Sequence, residues 1–251
     1  MTPSKSDRIV GCILGGAAGD AFGVPFEGES FPVNVELNGQ RVSDDTQLTL
    51  ATCEALIETN CIVTPAVIAS RFASWHEDRR IDGMGASTYK ALSELVAGGH
   101  WALGGRKGEF AAGNGAAMRI APLAFCLNPN EAGARQQIRD VSRITHHHEE
   151  AYVGALAMTI AIRAAWDGTW DGGSDLVRRV TECIPDSKVR DRLFDMGQLK
   201  TNITMSDVAR RFGCSGYVVE PVPLALYAAQ QISTLGFENS DARVDLCRRR
   251  H

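Results

Sequence analysis

The stretch from Glu149 to Trp166 limits the fold more than any other part of the sequence, because its residues are apolar on almost every side of a helix. Such a helix is stable only when other elements surround it, so this stretch predicts a central buried helix. The rest of the chain repeats helical apolar spacing and has no sustained alternating strand pattern bounded by hairpin signals. We therefore expect an all-α fold rather than an α/β fold.

Further helices are predicted from apolar spacing and from capping residues. Ile9 to Ala18 indicates a buried first helix, whose glycines would allow close helix contact. A second helix is expected to begin at Ser43 or Asp44, and Thr64 followed by Pro65 indicates the start of a third. The other predicted helical segments are residues 88–96, 114–125, 131–144, 175–184, 188–196, 206–212 and 223–235.

Composition and charge restrict the partners and the environment of the chain. A net charge of −4 and a pI near 5.9 give no general attraction to nucleic acid or to an anionic membrane, so neither is expected as a partner. Seven cysteines without a C-x-x-C pair fit neither a disulfide framework nor a cysteine-based zinc site. Because Met1 to Arg8 is polar and no run of ~18 apolar residues occurs, we expect a cytoplasmic protein, as a monomer or small homo-oligomer.

The strongest local motif is Ser43-Asp-Asp-Thr46, which places two carboxylates and two hydroxyls at the start of a predicted helix. One interpretation is structural: these residue types are preferred helix caps, and Asp44 with Gln47 would form a capping box. The other is a cation site, because Mg²⁺ prefers the carboxylate and hydroxyl oxygens that Ser43, Asp44 and Asp45 would supply. The spacing alone leaves both interpretations open.

Three further segments carry groups suited to chemistry. Glu27 stands in a loop whose glycines and proline prevent a fixed helix, and such a glutamate is either solvated or part of a flap. The run Gly113-Asn-Gly-Ala-Ala-Met-Arg119 leads into a helix start whose free N–H groups would receive a phosphate, although a turn is the simpler role. His146, His147 and His148 are consecutive, so on a helix they point ~100° apart and cannot converge on one zinc ion.

Taken together, these blocks resemble the ADP-ribosylglycohydrolase family. Gly11-Cys-Ile-Leu-Gly-Gly-Ala-Ala-Gly-Asp20, with Pro25 and Glu27, is similar to the family's opening helix and acidic loop. Ser43 to Thr46 is similar to its first metal motif. The other similar blocks follow in the family's order: residues 113–119, Thr145-His146, and Glu220-Pro-Val-Pro-Leu-Ala-Leu226.

The resemblance implies a single compact, orthogonal multi-helix domain over residues 1–251. It also implies a magnesium-dependent hydrolase that removes ADP-ribosyl groups from a protein side chain or a small ADP-ribose conjugate, with two Mg²⁺ ions and Mn²⁺ as an alternative ion. By the family pattern Ser43, Asp44 and Asp45 would bind metal, and Glu27 and Asp45 would act in catalysis. The residues expected to line the ADP-ribose site are Gly83, Asn114, Gly115, Met118 and His146.

The C-terminal end departs from the family pattern. The family carries a second metal motif of the Gly-Asp-Thr-Asp-Thr type there, whereas residues 238–251 form an atypical polar tail in which Asp241 and Asp245 are four positions apart. Half a set of ligands would bind Mg²⁺ weakly. The alternative expectation is therefore a catalytically impaired family member that binds ADP-ribose or is purely structural.

Overall fold

The computed structural model describes residues 3–26, 41–199 and 203–235, and most of them are helical. The all-α prediction is confirmed. In these three ranges the α-helices are α1 (Lys5–Gly23), α2 (Asp44–Glu58), α3 (Pro65–Glu77), α4 (Ala86–Val96), α5 (Leu123–Cys126), α6 (Ala132–Arg143), α7 (Glu149–Asp167), α8 (Leu176–Cys183), α9 (Lys188–Gly197), α10 (Met205–Phe212) and α11 (Pro221–Leu235). Short 3₁₀ helices cover Val24–Phe26, Glu109–Ala111 and Asn114–Ala116.

The described strands are two residues long and form one parallel ladder. Strand β1 (Arg106–Lys107) pairs with β2 (His146–His147), so that Arg106 lies opposite His146 and Lys107 opposite His147. Successive side chains of a strand point to opposite faces. The ladder therefore leaves the fold class unchanged but directs His146 and His147 to different sides.

Helix α7 is the centre of the bundle, and its prediction as a central buried helix is confirmed. Every residue from Ala151 to Ala157 is buried, and α1, α5, α6, α8, α9 and α11 all pack against the helix. Gly154 permits one of the closest approaches, because a Cβ atom there would lie 2.3 Å from Cγ2 of Val218. The apolar core is one cluster that runs from Leu48 in α2 to Tyr227 in α11.

Two predicted helix boundaries had different outcomes. Thr64 is the N-cap of α3 and Pro65 its first residue, as predicted, although the Thr64 side chain makes no capping hydrogen bond. The predicted continuous helix over residues 114–125 is wrong: a 3₁₀ turn at Asn114–Ala116 is followed by turns and then by the short α5. Pro122 precedes α5 and has no N–H to donate, so an uninterrupted helix cannot pass through it.

The prediction that the first helix is buried is wrong. No residue of α1 is buried, and the side chains of Val10 and Leu14 are 55% and 64% exposed. Helical spacing shows which face of a helix is apolar, whereas burial requires a neighbour, and the main described neighbours of α1 are α2 and α7. Although α1 has 19 residues, neither it nor another described helix is both long and apolar enough to span a membrane.

Candidate active site

The first turn of α2 holds the motif that the sequence singled out. Ser43 is the N-cap, and its hydroxyl oxygen accepts a hydrogen bond from the backbone N–H of Asp45 at 3.3 Å. Ser43 and Asp44 are only 5% and 6% exposed, whereas Asp45 is half-buried. A cap at the protein surface does not require such burial, and a buried carboxylate is costly unless it has partners. Ser43 thus caps the helix while Asp44 is held inside the protein.

The side chain of Gln47 serves a different purpose from the one predicted. The expected capping box of Asp44 with Gln47 is wrong, because Ser43 occupies the cap position. The Gln47 amide instead donates to the Val42 carbonyl at 3.3 Å, and its carbonyl oxygen accepts the backbone N–H of Asp82 at 2.7 Å. Gln47 therefore fastens the loop before α4 to the first turn of α2.

That fastening brings Gly83 against the motif. Gly83 has a φ of +82°, and a Cβ atom there would lie 3.5 Å from Cβ of Ser43 and 3.7 Å from Oδ1 of Asp44. Positive φ is readily available to glycine, whereas most other residues adopt it only with strain. The structure thus places Gly83 directly beside two of the predicted metal ligands, although 39 to 40 positions separate them in the sequence.

Asp20, in the last turns of α1, orients this first turn of α2. Its Oδ2 accepts the backbone N–H of Ser43 at 2.9 Å and that of Thr46 at 3.2 Å. The two hydroxyls also donate to the carboxylate, Ser43 at 2.7 Å and Thr46 at 2.5 Å. Sequence reasoning placed Asp20 in a family-like block but gave it no role. The available signal was an acidic residue at the end of a glycine-rich helix.

A second group of site residues is organised by Arg119, which is 1% exposed. Its guanidinium donates to the carbonyls of Gly115 and Val141 and, at 2.7 Å, to the hydroxyl of Thr145. Burial lowers the pKa of Arg119 to about 10, and the negative charge of Asp44 opposes that shift. At neutral pH Arg119 is therefore a buried cation that acts electrostatically on Asp44. Sequence reasoning gave Arg119 no role, although the residue ended a family-like block.

The Thr145 hydroxyl links Arg119 to His146 through hydrogen bonds. The Thr145 hydroxyl oxygen lies 2.7 Å from Nδ1 of His146. Thr145 is fully buried, and Nδ1 is the acceptor that the described residues offer its hydroxyl proton, so the arrangement that satisfies both groups has the hydroxyl accepting from Arg119 and donating to Nδ1. A neutral imidazole that accepts at Nδ1 carries its own proton on Nε2. The contacts thus define His146 as a neutral donor with a fixed orientation.

The ring of His146 fits closely against the glycine-rich loop. A Cβ atom at Gly113 would lie 3.0 Å from Nε2 of His146, and one at Gly115 would lie 2.6 Å from its Cε1 and 3.3 Å from Oγ1 of Thr88. Burial, and then the charges of Arg119 and His147, lower the pKa of His146 to about 3. His146 therefore stays neutral at physiological pH.

Asn114 and Met118 sit on the same turn. The backbone N–H of Asn114 donates to the Gly216 carbonyl at 3.0 Å, and its carbonyl accepts the N–H of Met118 at 3.1 Å. The Val218 N–H donates to the Ala112 carbonyl at 2.9 Å, which ties this loop to the segment before α11. Met118 is half-buried against the apolar core. The loop is thus anchored on both sides.

One family model, described as ADP-ribosylglycohydrolase, matches residues 1–242. The chain belongs to the ADP-ribosylglycohydrolase family. The resemblance seen in the sequence is thereby confirmed.

Relatives and a solved structure agree with this assignment. An uncharacterized protein of Archaeoglobus fulgidus is 34% identical over 62% of this chain and 55% of its own length. The ADP-ribosyl-(dinitrogen reductase) glycohydrolase of Rhodospirillum rubrum is 29% identical over 62% of this chain and 57% of its own length. A solved structure of an ADP-ribosylglycohydrolase-related protein complex superposes with a TM-score of 0.72 at 23% identity, covering 98% of this chain and 82% of that one. The chain thus matches little more than half the length of these two relatives, and the structural likeness establishes the fold.

As a member of the ADP-ribosylglycohydrolase family, the chain brings its expected site residues together in two groups. The first group consists of Ser43, Asp44 and Asp45 at the start of α2, with Gly83 against the first two, and in the second group Gly115 lies against His146. Arg119 connects them, because it donates to Gly115 and acts on Asp44. The expected catalytic Glu27 and the tail at residues 238–251 lie outside the described residues.

The donor chemistry of the first group suits the metal that the ADP-ribosylglycohydrolase family implies. Ser43, Asp44 and Asp45 offer only oxygen ligands, which Mg²⁺ and Mn²⁺ prefer. In the ranges that the structure describes, no three His, Cys, Asp or Glu side chains cluster closely enough to hold an ion. The residues therefore fit the ion in chemical type and provide part of a ligand set.

Proposed function

We propose that this chain is an ADP-ribosyl hydrolase that cleaves the glycosidic bond joining C1″ of ADP-ribose to a protein side chain or to a related small conjugate. The observation behind this proposal is the burial of Asp44 beside Gly83, at a helix start that Asp20 orients and on which the buried Arg119 acts. Buried ionisable groups with shifted pKa values, held in a fixed geometry, are typical of functional centres.

We propose that Ser43, Asp44 and Asp45 hold Mg²⁺, or Mn²⁺ in its place, with two ions implied by the family pattern. When bound, the metal supplies positive charge that holds ribose hydroxyls and lowers the pKa of a bound water. Asp20 keeps the hydroxyl of Ser43 and the first turn of α2 in one orientation. Its role is positioning, because its carboxylate is already occupied by Ser43 and Thr46.

The second group is proposed to hold the phosphates of ADP-ribose. His146 presents a neutral Nε2–H, and its side chain is held by Thr145. On the glycine-rich turn at Asn114 and Gly115, the Asn114 N–H is bonded to the Gly216 carbonyl, so the Gly115 N–H is the backbone donor proposed to receive a phosphate oxygen. Met118 on the same turn supplies an apolar wall. Together these groups would fix the substrate so that the ribose lies toward Asp44 and Asp45.

Bond cleavage at C1″ develops positive charge on the ribose ring, in an oxocarbenium-like transition state. Asp45 is the proposed catalytic carboxylate on α2, because it is less buried than Asp44 and stands beside it. Glu27 is the second proposed catalytic carboxylate, placed over the scissile bond by the family pattern. Nearby carboxylates stabilise the developing charge, and the leaving group takes a proton.

The partners proposed for this chain follow from the same chemistry. The substrate would be an ADP-ribosylated protein or a small ADP-ribose conjugate. The name of the relative from Rhodospirillum rubrum refers to an ADP-ribosylated protein, dinitrogen reductase. A net charge of −4 favours neither nucleic acid nor an anionic membrane. We also propose a single domain over residues 1–251 that works in the cytoplasm as a monomer or small homo-oligomer.

Release of free ADP-ribose from arginine-linked and serine-linked ADP-ribosyl peptides tests this function. The assay compares added Mg²⁺, added Mn²⁺ and a chelator, for the wild-type protein and for Asp44→Ala and Asp45→Ala. Asp186→Ala is the matched control, because its side chain is 94% exposed at the surface. We expect chelator-sensitive release that both site variants lose and the control retains.

If no release occurs, calorimetry with ADP-ribose distinguishes an impaired family member from a purely structural protein. Binding without release would identify an impaired member that retains the ligand site, and neither binding nor release from folded protein would indicate a structural role. Release that is equal in wild type, Asp44→Ala and Asp45→Ala would contradict the proposed site.

A further inference from the structure

A cavity of about 480 Å³ lies on the side of strand β2 away from the candidate active site. Its lining consists of Lys107, Arg143, His147, His148 and Glu149, none of which belongs to that site. Lys107 and His147 are paired in the two-residue ladder, whereas His146 is paired with Arg106. The side chains of adjacent strand residues point to opposite faces, so the side chains of His146 and His147 lie on different sides of the ladder.

The lining of this cavity is rich in cationic groups. Lys107 comes from β1 and Arg143 from the last turn of α6. Glu149 is the one carboxylate in the lining, and it is shared, at 2.5 Å from Arg139 and 3.2 Å from Arg143. One carboxylate held by two arginines leaves the ammonium of Lys107 without a partner in the lining. The carboxylate of Glu94 in α4 also acts on Lys107, but it is ion-paired with Lys90.

His147 contributes a buried ring nitrogen beside these charged groups. Its Nε2 is buried and has no hydrogen-bond partner among the residues that the structure describes. Buried polar atoms are nearly always hydrogen-bonded, so an unpartnered one needs an explanation. The neighbouring His148 accepts the Glu150 N–H on its Nδ1 at 3.0 Å, which leaves its Nε2 as a donor when the ring is neutral. The cavity therefore combines two imidazoles with an ammonium and a guanidinium.

We propose that this cavity is a binding site for a phosphate dianion, either free inorganic phosphate or a phosphate monoester on a protein side chain. Lys107, Arg143 and His148 supply N–H donors, and His147 adds a positive charge behind them when its buried Nε2 is protonated. Three cations against one carboxylate then leave two positive charges, which match the charge of the dianion. The volume leaves room for a carbon substituent beyond the phosphate group.

The charges around His147 give the site a pH dependence. Burial lowers the pKa of His147, and the charges of Lys107, Arg143 and Lys90 lower it further, while a hydrogen bond to the Gly104 carbonyl opposes the shift. The free ring is therefore neutral near pH 7. A bound dianion offsets the surrounding cations and favours protonation, so binding takes up a proton and strengthens as the pH falls.

Calorimetry with inorganic phosphate and with sulfate tests the proposal. Sulfate remains a dianion between pH 6 and pH 8, so its pH dependence reports the protein rather than the ligand. We expect one saturable site that binds sulfate about tenfold more tightly at pH 6 than at pH 8. Repeating the titration in two buffers of different ionisation enthalpy should reveal proton uptake.

Matched variants assign the site. Lys107→Ala should weaken binding of both anions about tenfold or more, and His147→Gln should reduce the pH dependence with sulfate by more than His148→Gln does. Lys188→Ala removes an exposed lysine at the start of α9 and should change nothing. The proposal is overturned if no saturable binding occurs, or if Asn114→Ala abolishes binding while Lys107→Ala does not, since the anion would then occupy the candidate active site.

A short phosphoserine peptide distinguishes the two sources of the phosphate. A peptide that binds more tightly than inorganic phosphate, with loss in Lys107→Ala, supports a site for phosphorylated protein segments. Tighter binding of inorganic phosphate, with the same loss, supports a site for the free anion. These readouts do not involve hydrolysis, so they are independent of the outcome for the proposed function.

Discussion

The carboxylate of Asp20 accepts both the backbone N–H and the hydroxyl of Ser43, at 2.9 Å and 2.7 Å. This pair joins the end of the first helix to the start of the second, across 23 positions of sequence. Carboxylates near a helix N-terminus also interact favourably with its dipole. Asp20 therefore stabilises the turn that presents Asp44 and Asp45, which makes it the first target for mutation.

Asp20→Ala should lower the free energy of unfolding by about 2 kcal/mol, because several donors at the start of α2 lose a charged acceptor. It should also weaken ADP-ribose binding about tenfold or more, since Ser43 and Asp44 lose their fixed orientation. Urea unfolding and calorimetry measure the two effects. Asp7→Ala is the control on the same helix, because Asp7 belongs to an exposed capping box with Ser4. Equal ADP-ribose affinity in the two variants would refute the positioning role.

Gly83→Ala and Gly98→Ala form a matched pair. Both glycines have positive φ, +82° and +87°, so each substitution should cost about 1 kcal/mol or more in unfolding free energy. A Cβ at Gly83 would lie 3.7 Å from Oδ1 of Asp44, whereas no atom lies within 4 Å of one at Gly98. The methyl group at Gly83 fits without a clash but adds apolar surface next to the proposed metal ligands, so only Gly83→Ala should reduce hydrolysis. Similar losses of activity in both would mean that backbone strain alone matters.

Gly115→Ala should displace the imidazole of His146, because the new Cβ would lie 2.6 Å from its Cε1. We expect ADP-ribose affinity to fall about tenfold or more, since the proposed phosphate donor His146 is moved. Gly133→Ala in α6 is the control: its Cβ would meet nothing within 4 Å, and the protein should become slightly more stable. Unchanged affinity in Gly115→Ala would remove His146 from the ligand site.

Thr145→Val tests the link between Arg119 and His146. Thr145 and Thr159 are both fully buried. The Thr145 hydroxyl contacts two other side chains, whereas among the described residues the Thr159 hydroxyl donates only to the Ala155 carbonyl of its own helix. Removing the Thr145 hydroxyl leaves two polar groups unpaired and should cost about 2 kcal/mol. Thr159→Val should cost less, as measured by urea unfolding. Equal losses would show that the link contributes nothing.

The neutral state of His146 predicts a pH dependence of stability. In the unfolded chain its imidazole takes up a proton below about pH 6.5, but in the folded protein only near pH 3. Between these values the unfolded state binds more protons, so the unfolding free energy is largest above pH 6.5 and falls as the pH drops. The loss is at most about 1.4 kcal/mol per pH unit.

Urea unfolding near pH 7.5 and near pH 5 measures this loss. His146→Gln should lose less stability over the interval than the wild type does. His100→Gln, which changes an exposed histidine outside the site, should behave as the wild type. An identical loss in His146→Gln and wild type would contradict the assignment.

Several elements were predictable because their signals are local. Neighbouring residues in the sequence make α7 apolar on almost every side, and Thr64-Pro65 marks the start of α3. Both predictions were confirmed. The helix start at Ser43 was likewise located correctly. The family resemblance depended on the order of short blocks, and that order is also written in the sequence.

Errors arose where the outcome depended on neighbours. The spacing of Val10 and Leu14 marks an apolar face on α1 but does not provide an element to cover it, so the helix is more exposed than expected. Gln47 was assigned to a local capping box, whereas the side chain binds the distant Asp82 backbone. Local patterns cannot choose between a nearby and a distant hydrogen-bond partner, because the two options differ only in tertiary position.

The sequence by itself determined that the chain is helical, where its central helix lies, and which residue types are available for a metal and phosphate site. Only the tertiary structure decided that Asp20 orients Ser43, that Gly83 lies beside Asp44, and that Arg119 and Thr145 fix His146. The physical reason is that helix formation depends on contacts three or four residues apart, whereas hydrogen bonds and charge interactions in the site require side chains from different helices to meet.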